Sequence, residues 1–200
     1  MELIRSNRTE SLADALASRI AESPLGPFEK EVIVVQSRGM ERWLTLALAD
    51  RLGIWSNPSF PFPRAVVEQV LEELGFGSSD EANAYKPERL KWTIADILTG
   101  SAPTELRTYV GEPLAADRVL RLASSVATAF DDYVVYRPQQ LANWAGGAGD
   151  DWQADLWRKL VKQLGPHDLA SRVAQALAAL ERGQSTAEIG FKRLHLFSLE

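Results

Sequence analysis

The feature that most constrains this chain is Val32-Ile-Val-Val35, four consecutive β-branched residues followed at once by Gln36-Ser-Arg-Gly-Met40 and a helical pattern. A strand with one wet face alternates apolar and polar residues, because successive side chains point to opposite sides of the sheet. This run does not alternate, so both of its faces must be covered, as in a parallel sheet with helices packed against it. Parallel strands cannot be joined by a tight hairpin, so partner strands and crossover helices must come from elsewhere in the chain.

The neighbouring sequence supplies helices. Asn7-Arg-Thr-Glu10 offers a cap and a returning glutamate for a helix through Leu12, Leu16 and Ile20, which stops at Ser23-Pro-Leu-Gly-Pro27. Glu2-Leu-Ile-Arg5 reads as a short strand before it. From Met40, the positions Met40, Trp43, Leu44, Ala47, Leu48 and Leu52 form a broad helical stripe that ends at Gly53. The first 60 or so residues thus read as strand, helix, strand, helix. Next comes Ile54-Trp-Ser-Asn-Pro-Ser-Phe-Pro-Phe-Pro63, whose three prolines forbid a helix or a central strand and predict a fixed, extended loop carrying aromatics.

After this the texture changes. Val66 to Leu74, Leu90 to Leu98, Leu114 to Phe130, Trp152 to Leu164 and Leu169 to Leu180 all show spacings of three and four, with flexible joints expected at Gly75 to Ala84 and Ala145 to Asp151. The β pattern returns only at Phe191-Lys-Arg-Leu-His-Leu-Phe-Ser-Leu199. The expected architecture is therefore an α/β domain with a parallel sheet, interrupted by an all-helical lobe. Its parts are residues 1–75, the inserted lobe at 76–186 and a return strand at 187–200, with the domain cut short on its C-terminal side. At 46% hydrophobic, 200 residues suffice for one core, or for a core plus such a lobe.

Composition narrows the function. No apolar run approaches the ~20 residues that span a bilayer, and the start lacks the basic-then-apolar order of a signal peptide, which points to the cytoplasm and to no membrane partner. Without cysteine there is no disulfide, thiolate metal site or cysteine nucleophile, and two histidines, His167 and His195, offer little for zinc. A net charge of −5 argues against a wholly basic nucleic-acid coat but leaves room for a local basic groove. The local basic pairs are Arg38 with Arg42 and Lys192 with Arg193.

The loop after the central strand stands where a phosphate-binding loop would stand. Such a loop needs glycines to turn backbone N–H groups toward phosphates, a lysine for the outer phosphates and a hydroxyl for magnesium. Gln36-Ser-Arg-Gly-Met40 has one glycine, one hydroxyl and no lysine. The helix N-terminus could still favour an anion, but ATP turnover is not expected. A blander reading also fits these residues: Gln36 and Arg38 finish a strand and solvate a loop.

Several long motifs, in one order, carry a resemblance. Val34-Val-Gln-Ser-Arg-Gly-Met-Glu-Arg-Trp-Leu44, Gly53-Ile54, Asn57, Phe60-Pro-Phe-Pro63, Phe130-Asp-Asp-Tyr-Val-Val-Tyr-Arg-Pro138, Trp144, Trp152-Gln153 and Leu156-Trp157 resemble the amino-terminal part of the RecC family, the gamma subunits of exodeoxyribonuclease V. The resemblance implies a superfamily 1 helicase-like (RecA-like) domain that has lost its ATP-binding motifs, with the helical block as its inserted lobe. It implies a non-catalytic scaffold, partnered by the beta (RecB) and delta (RecD) subunits and by single-stranded or duplex-end DNA, which channels the 3′-ended strand and scans it for the regulatory sequence Chi. No cofactor is expected in this chain; ATP and magnesium would belong to the partner subunits.

It also implies DNA-binding roles for Gln36, Arg38, Arg42, Phe62, Asp131 and Arg137. Glutamine and arginine suit base edges and phosphates, and Phe62 suits a stacked base. An aspartate beside DNA would accept from an exocyclic amine or hold an arginine. The enterobacterial pattern has threonine, glutamine and leucine where this chain has Arg38, Arg42 and Phe62. It has tryptophan at Glu68 and an Asp-Leu pair at Thr128-Ala129. Scaffold motifs are kept while reading positions change, which implies a different preferred sequence, or none.

Two alternatives stay open: an active ATP-dependent DNA helicase domain, and a protein–protein scaffold module without DNA contacts. The pairs Asp131-Asp132 and Asp150-Asp151 resemble metal-binding carboxylates only superficially, since adjacent residues on a helix point about 100° apart. Of the six tryptophans, Trp43, Trp152 and Trp157 read as core, and Trp55, beside the proline loop, as a candidate stacking surface. His195 reads as a sheet histidine rather than a ligand.

Overall fold

A computed structural model describes residues 2–26, 28–55, 57–77, 79–111, 113–184 and 189–197. The chain divides into two compact units, one of Met1–Glu73 with Glu188–Glu200, the other Leu74–Ala187.

In the first unit, the β-branched run forms β1 (Glu31–Val34), all of it buried. It is the middle strand of a parallel sheet of order β2-β1-β3, flanked by β2 (Pro58–Ser59) and β3 (Leu194–Leu196). The register sets Val32, Ile33 and Val34 against Leu194, His195 and Leu196, so Ile33 and Val35 share one face with His195 and Phe197. That face is covered by α1 (Thr9–Glu22) and α2 (Arg38–Leu52). Ala13, Leu16, Ala17 and Ile20 recur at helical spacing and pack with Leu44, Ala47, Leu48, Ile33, Val35 and Phe197 in one buried cluster. Burying each larger aliphatic side chain contributes roughly 1.5–3 kcal/mol. α3 (Pro63–Glu73) completes the unit, with Val66 and Leu71 buried.

Polar contacts lock β3 onto β1. Arg193 donates from Nε and Nη2 to the two carboxylate oxygens of Glu31 at 2.6 and 2.5 Å, and His195 Nε2 lies 2.9 Å from Glu31 Oε1. Lys192 pairs with Glu29, and the Phe197 N–H donates to the Val34 carbonyl at 3.0 Å. Burial pushes the Glu31 carboxyl up, but the Arg193 and His195 hydrogen bonds outweigh it and hold the group below its ordinary value.

The second unit is all helix among its described residues: α4 (Ser79–Ala84), α5 (Pro87–Gly100), α6 (Thr104–Val110), α7 (Ala116–Tyr136), α8 (Pro138–Ala145), α9 (Trp152–Leu164) and α10 (Leu169–Glu181). Leu90, Ile94 and Leu98 of α5 face Val119, Ala123, Val126, Ala127, Phe130 and Val134 of α7, and Trp144 and Trp157 close the core. Phe130 meets Trp157 edge-on, with centroids 5.2 Å apart at 77°, a geometry aromatic quadrupoles favour. α7 runs through the Phe130-Asp-Asp-Tyr-Val-Val-Tyr136 motif and stops at Arg137, φ −138° and ψ 46°, because Pro138 disfavours a helical residue before it. Asp151 caps α9 by accepting from the Gln153 and Ala154 N–H groups at 2.8 and 3.0 Å. Arg172, buried on α10, donates from Nε to the Phe76 carbonyl at 2.7 Å. At Gly77, φ +98°, a Cβ would lie 2.8 Å from that Nε, so glycine is favoured there.

Four expectations are corrected. Glu2-Leu-Ile-Arg5 is not a strand; both edges of β1 are already taken by β2 and β3, Leu3 and Ile4 stay exposed, and Glu2 pairs with Arg19. α1 begins at Thr9 with Arg8 in the cap position and no side-chain cap, while the Ser6 hydroxyl accepts from the Arg8 N–H. The proline segment holds β2, which proline tolerates because it opens a two-residue edge strand. The expected joint at Gly75 to Ala84 includes α4. The whole is an α/β chain, mostly helical, with a small parallel sheet. No helix among the described residues is long and apolar enough to cross a membrane.

Candidate nucleic-acid interface

β1 delivers the chain to the surface at its carboxyl end. Val35 is fully buried and its N–H donates to the Pro61 carbonyl at 3.3 Å, while Gln36 is exposed. Ser37 turns the chain into α2, its Oγ accepting from the Met40 N–H at 3.2 Å. This is a normal serine cap.

Arg38 opens α2 and is 77% exposed in its side chain. Its Nη1 donates to Glu41 Oε2 at 2.7 Å, and its guanidinium carbon lies 5.2 Å from the centroid of the Phe62 ring. Sequence reading named Arg38 and Phe62 separately; the structure makes them one stacked pair. Arg42, one turn further on, is exposed, and its side chain has no ion pair, hydrogen bond or ring contact among the described residues. Arg38, Glu41, Arg42, Thr45 and Leu46 line a shallow depression of about 410 Å³. Thr45 Oγ1 donates to the Glu41 carbonyl at 2.8 Å, and Leu46 is 63% exposed. Sequence reading missed Glu41, Thr45 and Leu46. The signal was available, since 38, 42 and 46 are spaced by four and 41 and 45 fall beside them.

The depression is lined by two guanidiniums, a carboxylate and an apolar leucine, and the Phe62 ring lies against the Arg38 guanidinium. That set can meet an anionic, base-bearing strand, a guanidinium taking phosphate and the ring and leucine taking base faces. Gln36, exposed at the end of β1, carries an amide able to donate and accept at once. Glu68, on α3, pairs with Arg64 at 3.1 Å.

Asp131 and Arg137 belong to the second unit. Asp131 is half-buried on α7 and its neighbour Asp132 is exposed, as expected for adjacent residues of a helix. Arg137 is exposed between α7 and α8, its guanidinium carbon 5.3 Å from the Tyr133 ring centroid. Tyr136 beside it is 79% exposed. Among the described residues, no three His, Asp or Glu side chains converge as metal ligands would.

Two further expectations are settled by burial. Trp55 is half-buried and packs against the core of the first unit rather than standing free as a stacking surface; Trp92, 59% exposed and 5.3 Å from Lys91 Nζ, is the outward-facing one. His195 is a sheet residue on Glu31, as read.

A family model described as RecC, N-terminal domain, matches residues 1–200. The RecBCD enzyme subunit RecC of Escherichia coli (strain K12) is 33% identical over 179 residues, which cover 81% of this chain and 15% of that protein. The corresponding subunit of Mycolicibacterium smegmatis is 28% identical over 209 residues, 98% of this chain and 18% of its own length. That of Haemophilus influenzae is 26% identical over 188 residues, 78% and 17% respectively. The chain therefore spans less than a fifth of the length of these curated relatives.

Proposed function

Because the chain belongs to the RecC family, we propose that it forms the amino-terminal part of the gamma subunit of exodeoxyribonuclease V and acts there without catalysis. In this reading it belongs to a scaffold that holds the RecB and RecD subunits in the cytoplasm and guides the 3′-ended single strand during recombinational repair of double-strand breaks. Its α/β unit is a superfamily 1 helicase-like, RecA-like domain whose nucleotide site has decayed. Residues 1–75 and 187–200 make that domain and 76–186 make the lobe inserted in it. ATP and magnesium belong to the partner subunits.

The observation that carries the proposal is the junction of β1 and α2. Where a nucleotide-dependent enzyme needs a lysine and a second glycine, this chain presents the exposed Gln36, Arg38 and Arg42 with Phe62 against Arg38. The arginine-bearing face of α2 neutralises phosphate, Gln36 reads a base edge and Phe62 stacks a base, an interaction worth roughly 1–3 kcal/mol in single-strand binders. Asp131 and Arg137 contribute a second contact area on the helical unit. Arg38, Arg42 and Phe62 replace other residues of the enterobacterial pattern, so this chain prefers a strand sequence other than the enterobacterial Chi, or none.

Photo-crosslinking of single-stranded DNA to the full-length subunit in its complex, mapped to peptides, tests this. Crosslinks are expected within residues 36–46 and 60–64. Crosslinks confined to peptides outside residues 1–200, together with Arg38→Ala and Arg42→Ala variants that handle DNA normally, would leave a purely protein-binding module. Magnesium-dependent ATP binding by this chain in calorimetry would instead favour an active helicase domain.

A further inference from the structure

We infer that Glu41 sets how many DNA phosphates the exposed face of α2 holds, limiting it to one, on Arg42; the inference rests on the single-strand reading above. Arg38 and Arg42 line the same depression one helical turn apart, yet they are not equivalent. The Arg38 guanidinium already donates to the Glu41 carboxylate at 2.7 Å and lies over Phe62. A phosphate can take Arg38 only by displacing that carboxylate or by lying beside it against like-charge repulsion. Glu41 is the better-fixed partner, with 30% of its side chain exposed against 77% for Arg38.

Arg42 has no such commitment among the described residues. Thr45 does not add a second donor, because its hydroxyl is bonded to the Glu41 carbonyl. Leu46 offers apolar surface that suits a base and not a phosphate. The division of labour follows: Arg42 binds phosphate, while Arg38, held by Glu41, extends the Phe62 ring into a wider stacking wall. Glu41 is thus a positioning residue, acting on the strand through Arg38.

Salt dependence distinguishes these roles, because each phosphate neutralised on a single strand steepens the log–log dependence of affinity on salt by about 0.7. The probe is an oligo-dT strand, bound to the full-length subunit assembled with its partners. Arg42→Gln is expected to make the slope shallower by about 0.7, and Arg38→Gln to weaken binding with the slope unchanged. Glu41→Gln is expected to steepen it by about 0.7, as the released Arg38 becomes a second phosphate ligand. Asp50→Asn removes the same charge from the far end of α2 and is expected to leave the slope alone.

A Glu41→Gln slope equal to the parent's, equal slope losses from Arg38→Gln and Arg42→Gln, or a matching steepening by Asp50→Asn would each overturn the inference. All three leave the strand reading standing. Unchanged slope and affinity in Arg38→Gln, Arg42→Gln and Phe62→Ala alike would overturn the strand reading itself.

Discussion

β1 and α7 both bury a continuous apolar surface, but their partners differ in kind. β1 pairs with β3, contributed from more than 160 residues away, and the pairing is locked by a carboxylate: Glu31 takes Arg193 and His195 across sequence separations of 162 and 164 residues. α7 packs against helices of its own unit, and its lock is aromatic, Phe130 against Trp144 and Trp157. A strand ladder with a distant partner thus leans on charge and hydrogen bonds, which respond to pH. A helical core leans on shape, which responds to lost volume.

The two kinds of lock separate most clearly in the helical unit. Trp157→Ala removes a fully buried ring and should cost the second unit about 3–5 kcal/mol. Amide hydrogen exchange should then show lost protection in α5, α7 and α9 with residues 31–35 still protected; equal loss in both units would mean they unfold as one. Next in size is Glu31→Gln, which leaves Arg193 without its carboxylate and should cost about 3 kcal/mol. Here the loss should fall on β1 and β3 and spare α7.

The pH dependence of that lock has a definite sign. The folded-state pKa of Glu31 is depressed, so the stability it contributes is present above the ordinary carboxylate value of about 4.5 and is lost as pH falls through the lower folded value. Denaturant midpoints measured below pH 4.5 should fall in the parent through this group and flatten in Glu31→Gln. Parent and variant curves of the same slope there would remove Glu31 from the account.

A smaller effect comes from Gly77→Ala, at φ +98° against Arg172. The left-handed backbone alone should cost about 1–2 kcal/mol, read as a shift of the second unit's denaturation midpoint. Smallest is Arg38→Ala, an exposed residue whose loss should change stability by less than about 0.5 kcal/mol while abolishing crosslinks at residue 62. A large stability loss instead would make the Arg38, Glu41 and Phe62 cluster a structural clasp.

Much of the fold was legible because its elements are long or strongly patterned. β1, α2, α5, α9 and α10 fall close to where β-branching or spacing of three and four put them, and Leu194-His-Leu196 returns as a strand. α4, α6 and α8 were not seen. Helices of 6 to 8 residues hold about two turns, too few for a period to emerge, and their stability comes from packing. At the candidate site, the residue types were legible and their grouping was not. Arg38 and Phe62 lie 24 positions apart and meet because the Pro61 carbonyl binds the Val35 N–H, anchoring the proline loop beside the start of α2.

What the sequence alone determined is local: an unalternating β-branched run that must be covered on both faces, amphipathic stripes that must be helices, and a loop with no lysine. Each follows from the side chains of a dozen neighbours, because backbone periodicity and residue chemistry act over that range. The tertiary structure decided the rest: which strands flank β1, that Glu31 is buried against Arg193 and His195, and that Arg38 is tied to Glu41 and Phe62 while Arg42 is left open. Those pairings depend on which surfaces the packed helices and the parallel register bring within a few ångströms, and that proximity is a property of the closed chain as a whole.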